Sequence, residues 1–345
     1  MTQSIISHAP TIINIFTMNC SESKYLDLQK CPLCGSLNSQ LLFKANDILM
    51  GKPGEYNIEE CTECSFRFTN PRPYAEDIFN YYTSDYHCYR DDNRKKNDVT
   101  ESSDLENKVF TSNSGYTLHG GFWGSRGWVF PNLQKGAKIL EIGCGSGGFI
   151  RECIARRWET LGMDLNPDLE PVITQMGAKF LPTTLPIIDL PDSYLDAVFA
   201  WQVIEHLYEP VETLTEIQRI LKPNGILAFS VPNSDCWQFH LFKDKWAGLQ
   251  VPTHVSHFSE KTIRQVVEKS GLKVVEIYGQ NTIGCLCPSI LFSMGRKNVS
   301  LSDQWTPLSS VNKIIDRFLS ILISLLFGRN QAERLTVICI NNSQE

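Results

Sequence analysis

From Gly136 onward, apolar and polar positions fall into blocks that read alternately as strands and helices. Lys138–Ile142 is an apolar run too short for a helix and predicts a first strand. Phe149–Arg157 has helical spacing, Thr160–Asp164 predicts strand two, and Asn166-Pro167 punctuates the start of the next helix. Lys179–Leu181 predicts a short third strand. Leu195–Trp201, introduced by the turn at Pro191-Asp-Ser193, predicts a buried fourth. Val211–Leu221 is helical and stops at Lys222-Pro-Asn-Gly225, after which Ile226–Val231 predicts strand five. Ser259 caps a helix that reaches Ser270, with Gly271 as its stop. Leu272–Tyr278 and Leu335–Ile340 predict strands six and seven. Such alternation is α/β and implies a parallel sheet with helices on both faces.

The rest of the chain lacks this rhythm. Residues 1–25 read as a tail, 26–75 as a cysteine-bearing module and 76–135 as a connecting or substrate-cap region. The cap region holds the mixed charge run Asp91–Asp98, which reads as a solvated face. Residues 136–345 form the main domain, with an insertion at 283–334. Within it, 311–327 is strongly apolar but broken by Asp316 and Arg317, and the unbroken run is too short to span a bilayer. It reads as a helix packed on the domain or a dimer face, or as an amphipathic helix at a membrane surface or a lipid-substrate groove. The N-terminus lacks a basic segment and a cleavage site, so the reading is cytoplasmic, with a membrane-peripheral contact left open.

Composition narrows the class. With 42% apolar and 20% charged residues the chain is ordinary globular protein, and its 345 residues are ample for a large core. A net charge of −6 argues against broad attraction to nucleic acid or anionic lipid. Of twelve cysteines, four form the pairs Cys31-Pro-Leu-Cys34 and Cys61-Thr-Glu-Cys64. Each C-x-x-C turn presents two thiolates, and two turns complete a tetrahedron around Zn²⁺. Four thiolates leave no open position, which predicts a structural ion. The scattered remaining cysteines read as small buried apolar residues in a reducing compartment.

The most specific stretch is Lys138-Ile-Leu-Glu-Ile-Gly-Cys-Gly-Ser-Gly-Gly148. Gly143, Gly145 and Gly147 allow a tight turn from strand into helix and keep side chains away from a ligand. Cys144 lies between the first two. Gly143, Gly145 and Gly148 also fit G-x-G-x-x-G, and Asp164 stands about twenty residues further on, so a nicotinamide dinucleotide stays open on the glycines alone. Glu141 tips the balance. Its charge repels a pyrophosphate and attracts an ammonium, which suits a nucleoside joined to an amino acid: S-adenosylmethionine.

Together with Gly162-Met-Asp-Leu165, Asp196-Ala-Val-Phe-Ala-Trp-Gln-Val-Ile-Glu-His206 and Leu221-Lys-Pro-Asn-Gly-Ile-Leu-Ala-Phe229, this loop resembles class I S-adenosylmethionine-dependent methyltransferases. The chain is similar to members with a zinc-ribbon-like module ahead of the catalytic domain, some associated with sugar or cell-surface polysaccharide modification. The resemblance implies a Rossmann-like seven-stranded sheet, mostly parallel, with its last strand antiparallel. It implies that Asp164 takes the ribose hydroxyls, that Met163 and Leu165 touch adenine, and that Glu141 holds the methionine ammonium. Gln202 would sit near the sulfonium. The family often has an acid after strand three that reads the adenine amino group. Thr184 falls there instead, leaving the Leu185 N–H to read the ring.

Methyl transfer to oxygen or activated carbon can need a base. His206 follows strand four, and His254 and His257 lie in the loop after strand five that typically faces the acceptor. Tyr81, Tyr82, Tyr86, Phe122, Trp123, Trp237 and Trp246 could wall the site or pack in the core. The expected acceptor is a small molecule or glycan. A non-catalytic scaffold that binds the cofactor, an RNA methyltransferase guided by the zinc module, and an NAD-dependent dehydrogenase are the competing readings.

Overall fold

The computed structural model describes residues 25–82, 110–111, 116–118, 128–186, 188–280, 285–296, 322 and 331–342. The charge run Asp91–Asp98, Tyr86, Phe122, Trp123 and nearly all of 311–327 lie outside them.

The N-terminal module contains β1 (Tyr25–Leu26), β2 (Ser39–Asn46), β3 (Glu55–Cys61), β4 (Arg67–Asn70) and β5 (Arg72–Pro73). The pairs β6 (Phe110–Thr111) and β7 (Tyr116–Leu118) lead to β8 (Val129–Pro131), with which they form a small antiparallel sheet. The main domain then runs β9 (Lys138–Ile142), α1 (Gly148–Ala155), β10 (Glu159–Met163), α2 (Glu170–Gln175), β11 (Lys179–Leu181) and β12 (Leu195–Trp201). It continues with α3 (Pro210–Ile220), β13 (Leu221–Pro232), α4 (Trp237–Phe242), β14 (Ser256–His257) and α5 (Glu260–Lys269). β15 (Leu272–Gln280), α6 (Leu286–Ser293) and β16 (Arg334–Asn341) complete it.

Seven strands form the main sheet in the order β11-β10-β9-β12-β13-β16-β15. The first five run parallel, and β16 lies antiparallel between β13 and β15. This is the Rossmann-like sheet expected, and the inserted antiparallel strand departs from the six-strand dinucleotide order. The chain leaves β9 toward β10 and β11 on one side and returns on the other at β12. That reversal opens a crevice beyond the carboxyl ends of β9 and β12, where open α/β sheets bind ligands.

The strands are buried on both faces, which explains their continuous apolar runs. One face packs Leu140, Leu161, Val198 and Leu227 against Leu214 and Ile217 of α3 and Ile263 and Val266 of α5. The other packs Ile139, Phe199 and Ala228 against Phe149 and Cys153 of α1. Ser259 caps α5 as its sequence predicts. Its side chain accepts from Thr262 N–H while the Thr262 hydroxyl takes the Ser259 N–H, a reciprocal box.

The cysteine module is not a bead on a string. β14, from the main domain, adds as the outer strand of the module's sheet by pairing with β4, in the order β14-β4-β3-β2. Phe66 and Phe68 join the same core as α5, and Phe66 meets Phe258 edge-on at 5.5 Å. Arg67 donates to Glu60, to the Ser234 carbonyl and to Asp235, pinning the module to the loop after β13.

Candidate functional site

The glycine-rich loop sits at the crevice. Gly143, Gly145 and Gly147 all have positive φ, at 68°, 48° and 78°. A Cβ on Gly143 would stand 2.6 Å from Val203 Cγ2, and one on Gly147 would stand 2.8 Å from Ile173 Cδ1. Both positions therefore need glycine on conformational and steric grounds. The N–H groups of Gly143 and Cys144 donate to the Met163 carbonyl at the end of β10. α1 begins at Gly148 with no side-chain cap, and the Ile150 N–H in its first turn is directed at the Glu141 carboxylate.

Two carboxylates meet beneath this loop. Asp164 accepts from Gly145 N–H at 2.9 Å and Asn166 N–H at 3.1 Å, so it also shapes the turn. Burial raises its carboxyl above the usual range. Glu141 is buried, and its Oε2 has no hydrogen-bond partner. Burial first, then repulsion from Asp164, holds Glu141 well above the usual carboxylate range. A cationic ligand group would relieve both carboxylates at once, so the residues present fit an S-adenosylmethionine ammonium and ribose.

The other expected cofactor residues divide. Met163 is 1% exposed and packs in the core, whereas Leu165 is 38% exposed at the loop. Cys144 is buried against Ile150 and Ile173. Thr184 is exposed and its hydroxyl bonds the Leu185 carbonyl, while the Leu185 side chain is buried. Gln202 has φ 58° at the end of β12, and its amide donates to Ser230 Oγ. Left-handed backbone at a non-glycine residue marks a held position beside the crevice.

Past β12 the single 3₁₀ turn Ile204–His206 sets Glu205 inward and His206 half-buried. His206 Nδ1 lies 2.9 Å from the Thr253 carbonyl and 2.8 Å from the Tyr82 hydroxyl. His254 is buried with Nδ1 3.0 Å from the Gly248 carbonyl, and the two imidazoles cross at 82° with centroids 4.6 Å apart. The structure thus brings His206 and His254 together. It puts His257 elsewhere: fully enclosed in β14, with Nε2 3.0 Å from Thr69 Oγ1. Burial, with the Arg67 charge adding to it, pulls His257 down to about 3. It is a neutral ring tying β14 to β4.

Glu205 was not among the residues read from sequence. It is 1% exposed, neither of its carboxylate oxygens has a hydrogen-bond partner, and burial pushes it up to about 8 against a pull from Arg334. The available signal was an acid set directly after Ile204 in an apolar run. Trp246 is core, packed edge-on against Phe239, and Trp237 lies against Phe242. Tyr81 is buried and Tyr82 meets His206.

The four knuckle sulfurs converge. Cys31 Sγ lies 3.6 Å from Cys64 Sγ, Cys34 Sγ lies 3.5 Å from Cys61 Sγ, and all four fall within 4.8 Å of one another. Tetrahedral zinc with bonds near 2.3 Å needs sulfurs about 3.8 Å apart. The knuckles are near copies: Gly35 and Ser65 follow them in left-handed backbone and donate to the Cys31 and Cys61 carbonyls. Burial pushes the Cys61 thiol up, but the N–H groups of Cys64 and Glu63 outweigh it and bring it to about 7. The donor set and spacing fit Zn²⁺.

Residues 127–277 match the family of methyltransferase domains. Over these residues the chain carries a methyltransferase-like domain, on the seven-stranded sheet described above. Among curated relatives, the ubiquinone biosynthesis O-methyltransferase of Dinoroseobacter shibae is 28% identical over 43% of this chain and 65% of its own length. The malonyl-[acyl-carrier protein] O-methyltransferase of Serratia marcescens is 28% identical over 36% of this chain and 49% of its own. The chain thus spans less than two thirds of these relatives. A solved S-adenosylmethionine-dependent methyltransferase from Archaeoglobus fulgidus is 21% identical, covering 59% of this chain and 86% of that one, with a TM-score of 0.40.

Proposed function

We propose that the protein transfers a methyl group from S-adenosylmethionine to an oxygen of a small-molecule or glycan acceptor. The observation that carries this reading is Glu141, a buried carboxylate with an oxygen left without a partner beneath a left-handed glycine turn. The two relatives whose names specify an O-methyltransferase support an oxygen acceptor.

When bound, the cofactor supplies an electrophilic methyl group. Glu141 would hold its ammonium, Asp164 its ribose, and the loop N–H groups and Leu185 the remainder. His206 and His254 stand beyond the end of β12, where an imidazole can accept the acceptor's proton as the new bond forms. The chain's further work is alignment, since holding reactants in line supplies much of such a rate enhancement. The zinc module supports this wall: Thr69 on β4 donates its hydroxyl to the His254 carbonyl at 2.8 Å, and its N–H to the Val255 carbonyl.

Calorimetric titration with S-adenosylmethionine and with NAD tests the reading. The expected result is binding of the first and not the second; the reverse removes the proposal. A screen of small-molecule and nucleotide-sugar acceptors with radiolabelled methyl donor then identifies the acceptor class.

A further inference from the structure

Glu205, His206 and His254 converge in a way that base chemistry alone does not explain. Donor atoms of all three lie within 4.8 Å of one another, and Glu205 Oε1 stands 4.0 Å from His254 Nε2. A carbonyl oxygen can only accept. The Gly248 carbonyl therefore places a proton on His254 Nδ1, and the Thr253 carbonyl places one on His206 Nδ1, which the Tyr82 hydroxyl then shares as a second acceptor. Each neutral ring then carries its lone pair on Nε2, the arrangement in which backbone carbonyls orient metal-binding histidines. Between them sits a carboxylate that is 1% exposed with no hydrogen bond to either oxygen. Arg334 attracts it at longer range but gives neither oxygen a hydrogen bond. Burying such a group without a close partner is costly, and a cation coordinated by the carboxylate would remove that cost.

We propose that Glu205, His206 and His254 form a second metal site, which takes a first-row divalent transition cation through two imidazoles and one carboxylate. This donor set differs from the Cys31/Cys34/Cys61/Cys64 cluster. Nitrogen and oxygen donors suit Zn²⁺, Co²⁺, Fe²⁺ or Mn²⁺, while four thiolates favour softer binding and saturate their ion. Three protein ligands leave coordination positions open, and the half-buried His206 provides the route in. The Val255 N–H donates to the Glu205 carbonyl at 3.1 Å, so the backbone carrying His254 is stitched to the turn carrying the other two ligands. With a cation bound, the two imidazoles are ligands rather than bases, and the cation would take over their part by making an acceptor hydroxyl in an open position more acidic. That role rests on the methyl-transfer reading, whereas the metal site itself does not.

The test is to load the full chain with zinc until the cysteine cluster is saturated, then to titrate Co²⁺. The expected result is visible d–d absorption that saturates at one further equivalent, without the near-ultraviolet band of thiolate-bound cobalt. Glu205→Gln and His254→Ala should each weaken this binding by about ten-fold or more. Only thiolate-type bands, or unchanged cobalt affinity in a folded Glu205→Gln chain, would overturn the proposal. If both variants unfold, X-ray absorption of the wild-type chain loaded with a second zinc equivalent decides. Nitrogen and oxygen scatterers beside sulfur support the site, and sulfur alone rejects it. S-adenosylmethionine titration alongside keeps the two ideas separate. Cofactor binding without cobalt binding defeats this inference only, and the opposite outcome defeats only the methyl-transfer reading.

Discussion

Glu141 and His257 show how far a single buried titratable group can be read. Glu141→Gln should weaken S-adenosylmethionine binding roughly ten-fold or more by calorimetry, the scale of a hydrogen bond to a charged group. Unchanged affinity would mean that the ammonium lies elsewhere. His257 makes a prediction about acid. Its ring is neutral in the fold down to about 3, whereas the unfolded chain protonates near 6.5. Between those values the unfolded state binds the extra proton, so stability falls as pH drops from about 6.5 toward 3, by about 1.4 kcal/mol per unit. Chemical denaturation across this window should show a shallower slope for His257→Gln than for the wild type. The difference between the two chains isolates His257 from protonation of the thiolates. At this scale the sequence exposed Glu141, Asp164 and the four cysteines, because each stands in a local pattern of glycines or paired spacing. It did not separate His257 from His254, three residues apart in one loop. Only the strand pairing decides which ring faces Thr69 and which faces Glu205.

At the scale of elements, the strands of the main sheet lay where apolar runs predicted, except that β13 begins at Leu221 and takes in the Lys222–Gly225 stretch read as a helix stop. The cap at Ser259 was legible letter by letter. Ser259→Ala should cost about 1 kcal/mol, read as a lower denaturation midpoint. Gly143→Ala should cost more, about 1–3 kcal/mol, because the new Cβ meets both a left-handed backbone and Val203. It should also reduce cofactor affinity, whereas Ser259→Ala should leave that affinity intact. Equal effects on binding would show that the loop does not form the cofactor's floor. What the sequence could not show was β14, two residues long and with no periodicity to announce it. Nor could it place Tyr82 on His206, a contact across 124 residues.

For the whole molecule, the β14–β4 ladder ties the cysteine cluster's sheet mechanically to the segment that carries His254 and His257. Chelating zinc should lower the unfolding temperature and raise amide hydrogen exchange in residues 253–258, while the 143–148 loop stays protected. Thr69→Val should act more narrowly. It removes the hydroxyl's bonds to His254 and His257, so methyl transfer should fall while S-adenosylmethionine affinity holds. Loss of both in parallel would mean that the module supports the whole fold rather than one side of the site. Among the described residues no helix is long and apolar enough to cross a membrane.

The same ladder sets an order of events on the ribosome. Residues 67 and 68 pair with 257 and 256, so the outer edge of β4 has no neighbour until the chain has been made as far as β14. The cysteine pairs can close around an ion early, but the nascent sheet then carries an open flank until β14 emerges. Translation itself thus delays completion of the cysteine module's own sheet.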